Sequence, residues 1–457
     1  MNSSKAISCF LMAMCPAGLF AQQPLTVGEA VDSALKNYPS IRVSEELINA
    51  AAAGIQLART AYLPRVDLLA QGNRATRNNV FGLLLPQSTI PSISGPVLGT
   101  NNFGTAWGSA IGTLVSWEPF DFGLRKTTVA AAAAVRTQRE ATLKRTQFEV
   151  ASATADAYVT LAAAEAAAGA AQAGVDRTQV LVRTTEALVN AQLRPGADAS
   201  RAQAENAAAT TQLIQAKQAV AVARANLSQF VGMDPANIAI SAGGLTKSPP
   251  AEPAAALQIR SNPLTVEQNA LVDQLKAQLR TLERSYFPRF YLQGAAYARG
   301  TGAELNGANL GGLNGLAPTT QNYAVGLTMT FSALDFAALR ARESEQTANI
   351  RSAEAQYQQI AAELRARWNA AVAMLEGARG VAANTPVAVN AARAATEQAT
   401  ARYQASLGTI DEVAEAQRLL TQAEVDDALA RLGVWRALLG VATAAGDLQP
   451  FLAEAGR

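Results

Sequence analysis

From Phe122 to Leu193 the chain carries no proline and only three glycines, Gly123, Gly169 and Gly174. About 70 helical residues at 1.5 Å each span roughly 105 Å, and no single-core domain contains a helix that long. A second run, Phe336–Ser406, is equally long but includes Pro386. A proline there removes a hydrogen bond and is expected to bend the helix. Val175, Val182 and Val189 are spaced by seven, as are Leu181 and Leu188, a pattern that suggests coiled-coil packing between neighbouring helices. About a fifth of the chain is alanine, a strong helix former that lets helices approach closely.

The two runs belong to a duplication. Tyr62-Leu63-Pro64-Arg65 recurs as Tyr286-Phe287-Pro288-Arg289, and Tyr38-Pro39 as Asn262-Pro263, both at an offset of 224. Further along the offset is 214: Trp117 pairs with Phe331, Phe120-Asp121-Phe122 with Leu334-Asp335-Phe336, Asp198 with Glu412 and Gly232 with Gly446. A ten-residue difference in a loop reconciles the two. Chance similarity in alanine-rich sequence is a weak alternative, because the matching residues are Tyr, Pro, Phe and Asp. Each repeat reads as helix, strand, loop, strand, very long helix, turn, helix. The first helix spans about Thr26–Ala61 with a break at Pro39. The domain reading is 1–21 a leader, 22–232 the first repeat, 233–253 a linker, 254–446 the second repeat and 447–457 a tail.

The strands alternate. Phe103, Thr105, Trp107, Ser109, Ile111, Thr113, Val115 and Trp117 share one face, with mostly small residues between them. Tyr323, Val325, Leu327, Met329 and Phe331 repeat the pattern; Val66, Leu68, Ala70 and Phe290, Leu292, Ala296 carry it more faintly. A half-buried strand of a water-soluble sheet is the plain alternative. Ten residues tilted by about 45° rise roughly 24 Å, close to the apolar band of an outer-membrane barrel. Tryptophans at both ends of the face favour the membrane. Trp107, Trp117, Tyr323 and Phe331 are the candidate membrane-interface aromatics. Four strands cannot close a barrel, and an open edge cannot sit in lipid, so the chain must oligomerise. Three copies would give twelve strands.

Lys5 followed by the apolar stretch Ala6–Ala21 reads as a signal peptide, the alternative being a buried first helix. It contains both cysteines, Cys9 and Cys15. Lipid attachment at Cys15 is disfavoured, because Met14 stands where a small residue is expected. The chain from Gln22 then has no cysteine and must be held by packing or assembly. Beyond the leader, no apolar run of membrane-helix length is expected. A net charge of +2 argues against a nucleic-acid binder. The chain contains no histidine, which excludes serine–histidine catalysis and histidine-ligated zinc. Enzymatic activity, a resident metal and a cofactor are all unexpected.

With these features the sequence resembles the TolC family of outer-membrane efflux ducts. The resemblance rests on the duplication, on the helix-to-strand joints at Tyr62–Arg65 and Tyr286–Arg289, and on the strand-to-helix joints at Trp117–Gly123 and Phe331–Ala337. It also rests on two helix-turn segments, Leu193–Asp198 and Arg402–Ile410. It implies a mostly α fold with a membrane β-barrel portion. The assembly would be a homotrimer with a twelve-stranded barrel, four strands per chain, above a long helical periplasmic barrel with coiled-coil tips. It implies location in the bacterial outer membrane, and partners in outer-membrane lipid, a periplasmic membrane-fusion adaptor and an inner-membrane pump. Leu193, Arg194, Gly196, Ser406, Leu407 and Gly408 would form the adaptor-docking tip. The family usually has a glycine just after each long helix; here Gln192 and Ser406 stand there, and Gly196 and Gly408 are expected to supply the turn chemistry instead.

The resemblance also places acidic residues where the tunnel closes: Asp198, Glu412 and Glu415 are the candidate channel gate. Carboxylate rings attract cations. A simpler role is open for each, since Thr409–Glu412 fits a capping box and Asp198 an N-cap. The leading function is a passive export duct for small molecules. The alternatives are the outer-membrane component of a type I protein-secretion system and a non-channel periplasmic helical scaffold.

Overall fold

The computed structural model describes residues 24–76, 104–245, 256–304, 308–331 and 334–456. The expected signal peptide with Cys9 and Cys15, residues 77–103 including Phe103, and residues 246–253 of the linker lie outside them. The chain divides into two compact units, and neither coincides with a repeat. One comprises 39–147 and 258–365, the other 1–38, 148–257 and 366–457. Each long helix therefore starts in the first and ends in the second.

The first unit contains α2 (Pro39–Thr60), β1 (Arg65–Thr76), β2 (Thr105–Phe120), α5 (Pro263–Arg284), β3 (Arg289–Thr301) and β4 (Thr320–Thr330). It also holds the opening turns of the long helices α3 (Leu124–Asn190) and α6 (Phe336–Gln404). α1 (Val27–Asn37) ends just before Pro39, so the expected break falls as read. The strands form one antiparallel sheet in the order β1-β2-β3-β4. The duplication holds to the residue: Val66 pairs Val115 in the first hairpin, and their counterparts Phe290 and Met329 pair in the second. Leu68 with Thr113 and Leu292 with Leu327 obey the same offsets. β2 bulges between Trp117 and Phe120. On the helical side, Glu267 of α5 takes Thr142 and Arg145 of α3 at 2.7 and 2.6 Å.

Where β2 turns into α3, Asp121 acts as the cap. Its carboxylate accepts the Gly123 and Arg125 N–H groups at 3.1 and 2.6 Å. It also pairs with the Arg125 guanidinium at 2.8 Å, both side chains being almost fully buried. That guanidinium lies over the Tyr62 ring. Burial opposes ionisation of Asp121, but these hydrogen bonds and the adjacent cation win, holding its carboxyl below the usual range.

The second unit contains α1, the rest of α3, α4 (Gly196–Val231), the rest of α6, α7 (Ile410–Ala445) and α8 (Gln449–Ala455). Thr26 and Glu29 form a capping box at the start of α1. Val27, Tyr158, Leu161, Leu227, Trp435 and Phe451 belong to one core with the linker's Ile238 and Leu245. Leu25 and Ile240 form a parallel bridge, and the Tyr158 hydroxyl lies 2.8 Å from the carbonyls of Leu25 and Ser241, donating to one at a time. The described part of the linker, up to Leu245, is thus anchored in the core. α7 requires a correction to the sequence reading. It carries an 18-residue window of mean hydropathy 1.3, enough by composition to cross a membrane. Its Val434, Trp435, Leu438, Leu439 and Val441 are instead buried in this core. Pro386 lies inside α6, which continues through it as one helix.

Candidate functional site

The sheet sorts its side chains by face. On one face the register aligns Val66, Val115, Gly294 and Val325 in a row across all four strands, with Leu68, Thr113, Ala296 and Tyr323 in the next. Trp117, Leu292 and Leu327 form a third row. Most of this face is open: Leu68 is 82% exposed, Val325 76% and Tyr323 87%. The other face presents Arg65, Asp67, Gln71, Ser116, Gln293, Asn322 and Thr328, and there Glu118 receives Arg289 in a two-pronged pair at 2.9 and 3.1 Å. A mainly apolar face, with Thr113 among its rows, opposite a more polar one that also carries Leu69, Leu114, Tyr291 and Tyr297, fits lipid outside and water inside.

The candidate interface aromatics lie on this open face or at its ends. Trp107 pairs with Arg74, whose guanidinium lies 5.5 Å from the ring centroid, so the apolar band ends there in a charge. At the helical end, the Trp117 indole N–H donates to the Tyr62 carbonyl at 3.1 Å. Tyr323 stands opposite Ala296, and Phe331 follows the end of β4.

The second candidate region is where α3 turns into α4 and α6 into α7. Both long helices end in the same Schellman motif. Leu193 N–H donates to the Leu188 carbonyl and Gln192 N–H to Val189, at 2.9 Å each; Leu407 donates to Arg402 and Ser406 to Tyr403, at 2.8 and 3.0 Å. The motif needs a left-handed residue, and Gln192 and Ser406 supply it at φ 59° and 63°. The expectation for Gly196 and Gly408 is thereby corrected: neither has a positive φ. Gly196 simply begins α4, while a Cβ on Gly408 would stand 3.1 Å from the Glu412 carboxylate and 3.2 Å from the Arg402 Cβ.

Asp198 is not an N-cap, since Pro195 holds that place. Its Oδ2 accepts the Tyr403 hydroxyl at 2.9 Å. Tyr403 is 1% exposed, packed among Leu181, Ala202, Ile410 and Val413. The Arg194 guanidinium lies over its ring at 4.3 Å and donates to its carbonyl. Burial, then the bond to the Asp198 carboxylate, pushes the Tyr403 hydroxyl up to about 12. Tyr403 lies inside the helix-turn segment Arg402–Ile410, but nothing in the sequence gave it a role of its own, and its counterpart in the first repeat is Val189.

Thr409 caps α7 by accepting the Glu412 N–H at 3.3 Å. The reciprocal half of the expected box is replaced by an ion pair: the Glu412 carboxylate faces Arg402 at 3.8 Å. Glu415 is gripped by Arg418 at 2.7 Å, and Arg201 links Asp411 across the two hairpins at 3.1 Å. The structure thus brings Asp198 and Tyr403 together and gives each glutamate its own arginine. Among the described residues no cluster of His, Cys, Asp and Glu could hold a metal ion.

Comparison with known proteins agrees with this anatomy. The pattern of the outer membrane efflux protein family matches residues 30–233, nearly the whole first repeat. No curated protein matched the chain. Among solved structures, the Campylobacter jejuni CmeC outer membrane channel is 17% identical, with 92% of this chain and 85% of that one covered and a TM-score of 0.73. The outer membrane protein VceC of Vibrio cholerae is 18% identical over 92% and 96% of the two chains, with a TM-score of 0.69. The open Neisseria gonorrhoeae MtrE outer membrane channel is 17% identical over 92% and 89%, with a TM-score of 0.67. At such identities the likeness is one of fold.

Proposed function

We propose that this chain, which carries the outer membrane efflux protein pattern across its first repeat and the TolC-like fold across both, is the outer-membrane exit duct of a tripartite efflux system. It passively releases small molecules to the exterior and extends into the periplasm; it transports and does not catalyse. The observation that carries the reading is the open apolar face, aligned in register across four strands whose outer edges pair with no other strand among the described residues. Such a sheet is stable in lipid only when closed, and three copies close it with twelve strands. The turns at Leu193–Gly196 and Ser406–Gly408 then form the tip that meets a periplasmic adaptor and, through it, an inner-membrane pump. Asp198, Glu412 and Glu415 line the closing end.

Conductance of the purified protein in a planar bilayer, together with its mass in detergent, tests the reading. Discrete channels from a trimer are expected. A monomeric protein without conductance would return the chain to the class of periplasmic scaffolds.

A further inference from the structure

The internal duplication allows the seam between neighbouring copies to be read from the seam inside one chain. Within the chain, the first repeat meets the second where β2 pairs with β3, and there Phe120, Phe122, Phe287 and Phe290 form one cluster. Phe122 stacks on Phe287 at 5.1 Å, meets Phe120 edge-on at 4.6 Å and lies 6.3 Å from Phe290. Carried across by 214, the β2 side of this cluster becomes Leu334 and Phe336; carried back by 224, the β3 side becomes Leu63 and Val66. All four counterparts are apolar, and all four stand exposed, at 88, 51, 67 and 56%. They lie at opposite edges of the sheet, two beside β4 and two beside β1. No contact within one chain can join them.

A glycine points the same way. Gly112 is obligatory inside the chain, because a Cβ on it would fall 2.3 Å from the Tyr297 Cβ of the paired strand. Its counterpart Gly326 is also glycine, yet nothing lies within 4 Å of where its Cβ would be. The close approach that would call for a glycine at Gly326 is absent from the isolated chain.

We infer that β4 pairs antiparallel with β1 of a second copy of this chain in the register of the internal β2–β3 seam, with Leu334 and Phe336 packing on Leu63 and Val66 of the partner subunit. The inference rests on the reading of the chain as a closed barrel and goes beyond it by fixing the residues that meet. The internal pairs Trp117 with Leu292, Val115 with Gly294 and Gly112 with Tyr297 become Phe331 with Leu68 of the partner subunit, Met329 with Ala70 of the partner subunit, and Gly326 with Asn73 of the partner subunit. The parity is right: Met329 and Ala70 both belong to the open apolar face.

Paired cysteines test it in the assembled protein in membranes. Met329→Cys with Ala70→Cys should form disulfides between chains under mild oxidation. The yield should be about fivefold above Met329→Cys with Leu68→Cys or with Gly72→Cys, because diagonal neighbours stand too far apart for a disulfide. Phe336→Cys with Leu63→Cys probes the same seam outside the sheet, and Val115→Cys with Gly294→Cys is the internal control. Cross-linking of both predicted pairs supports the seam. Preference for a shifted pair, or no interchain product where the internal control reacts, overturns it. A protein that conducts but cross-links in a shifted register loses the seam and keeps the duct; one that neither conducts nor assembles loses both.

Discussion

The Tyr403 hydroxyl donates to the Asp198 carboxylate at 2.9 Å, joining residues 205 apart in sequence. The bond ties the end of α6 to the first turn of α4, and Arg194 covers the ring from the adjoining turn. One hairpin of each repeat is thereby fastened to the other where the duct is proposed to close. A hydrogen bond to a charged acceptor contributes about 2 kcal/mol. Tyr403→Phe keeps the packing and removes the bond, so single-channel recordings should show a higher open probability. An unchanged open probability would leave this bond a structural tie without a part in closure.

The same pair carries a pH dependence. The Tyr403 hydroxyl is raised to about 12, above the value near 10 of an unfolded tyrosine. Its contribution is therefore complete below about pH 10 and is lost as pH climbs through about 12. Tyr158 is also raised to about 12, so global unfolding reports both. Channel opening over this window should change more steeply with pH in wild type than in Tyr403→Phe. A mutant that keeps the wild-type profile assigns the titration elsewhere.

The two left-handed turn residues should be improvable. Gln192 and Ser406 occupy a conformation that costs a non-glycine residue roughly 1 kcal/mol. Gln192→Gly and Ser406→Gly relieve that strain at some cost in unfolded-state entropy, so each should raise stability by about 0.5 kcal/mol. Thermal melts of the purified assembly measure it. Placing alanine at Gly408 should do the reverse, because its Cβ must displace Glu412 and Arg402.

The joint between β2 and α3 should be a weak point if opened. Asp121 and Arg125 have side chains 10 and 9% exposed. Removing one partner leaves a buried charge alone, at roughly 3 kcal/mol. Arg125→Met should lower the melting temperature much more than Arg125→Met with Asp121→Asn. The Asp121 carboxyl is held below its ordinary range. The wild-type joint is therefore fully stable above the usual carboxylate range and weakens as pH falls through the depressed value, a dependence the double variant should lack.

Much of the fold was legible because its signals are periodic. Alternation along Ile111–Trp117 and Tyr323–Met329 located the open apolar face, and recurrence of Tyr-x-Pro-Arg marked two repeats that pair in equivalent register. The turns were legible only in part: the family resemblance puts Gln192 and Ser406 where glycine usually stands, yet the turn chemistry was expected from Gly196 and Gly408. The Schellman hydrogen bonds outweigh the strain, so glycine is dispensable there. Tyr403 escaped notice because partnership with Asp198 depends on how two hairpins pack, and Val189 in the other repeat offers no parallel. α7 was underread because helix-to-helix burial and membrane burial select the same apolar residues.

The acidic pair of α7 gives the sharpest test of the closing end. Glu412 and Glu415 each face an arginine of the same chain, Arg402 and Arg418. These pairs are exposed, and each contributes little to stability. At the proposed closing end their charges would still act on passing ions, screened within roughly 8 Å at physiological salt. Glu412→Gln with Glu415→Gln keeps size and hydrogen-bonding capacity but leaves both guanidiniums without a counter-charge. Under a salt gradient the reversal potential should move toward anions, and block by divalent cations should weaken. The Thr409 cap accepts a backbone N–H and survives both substitutions, so stability should change by well under 1 kcal/mol. A reversal potential that does not move would mean that these carboxylates lie away from the ion path, leaving Asp198 as the acidic residue of the gate.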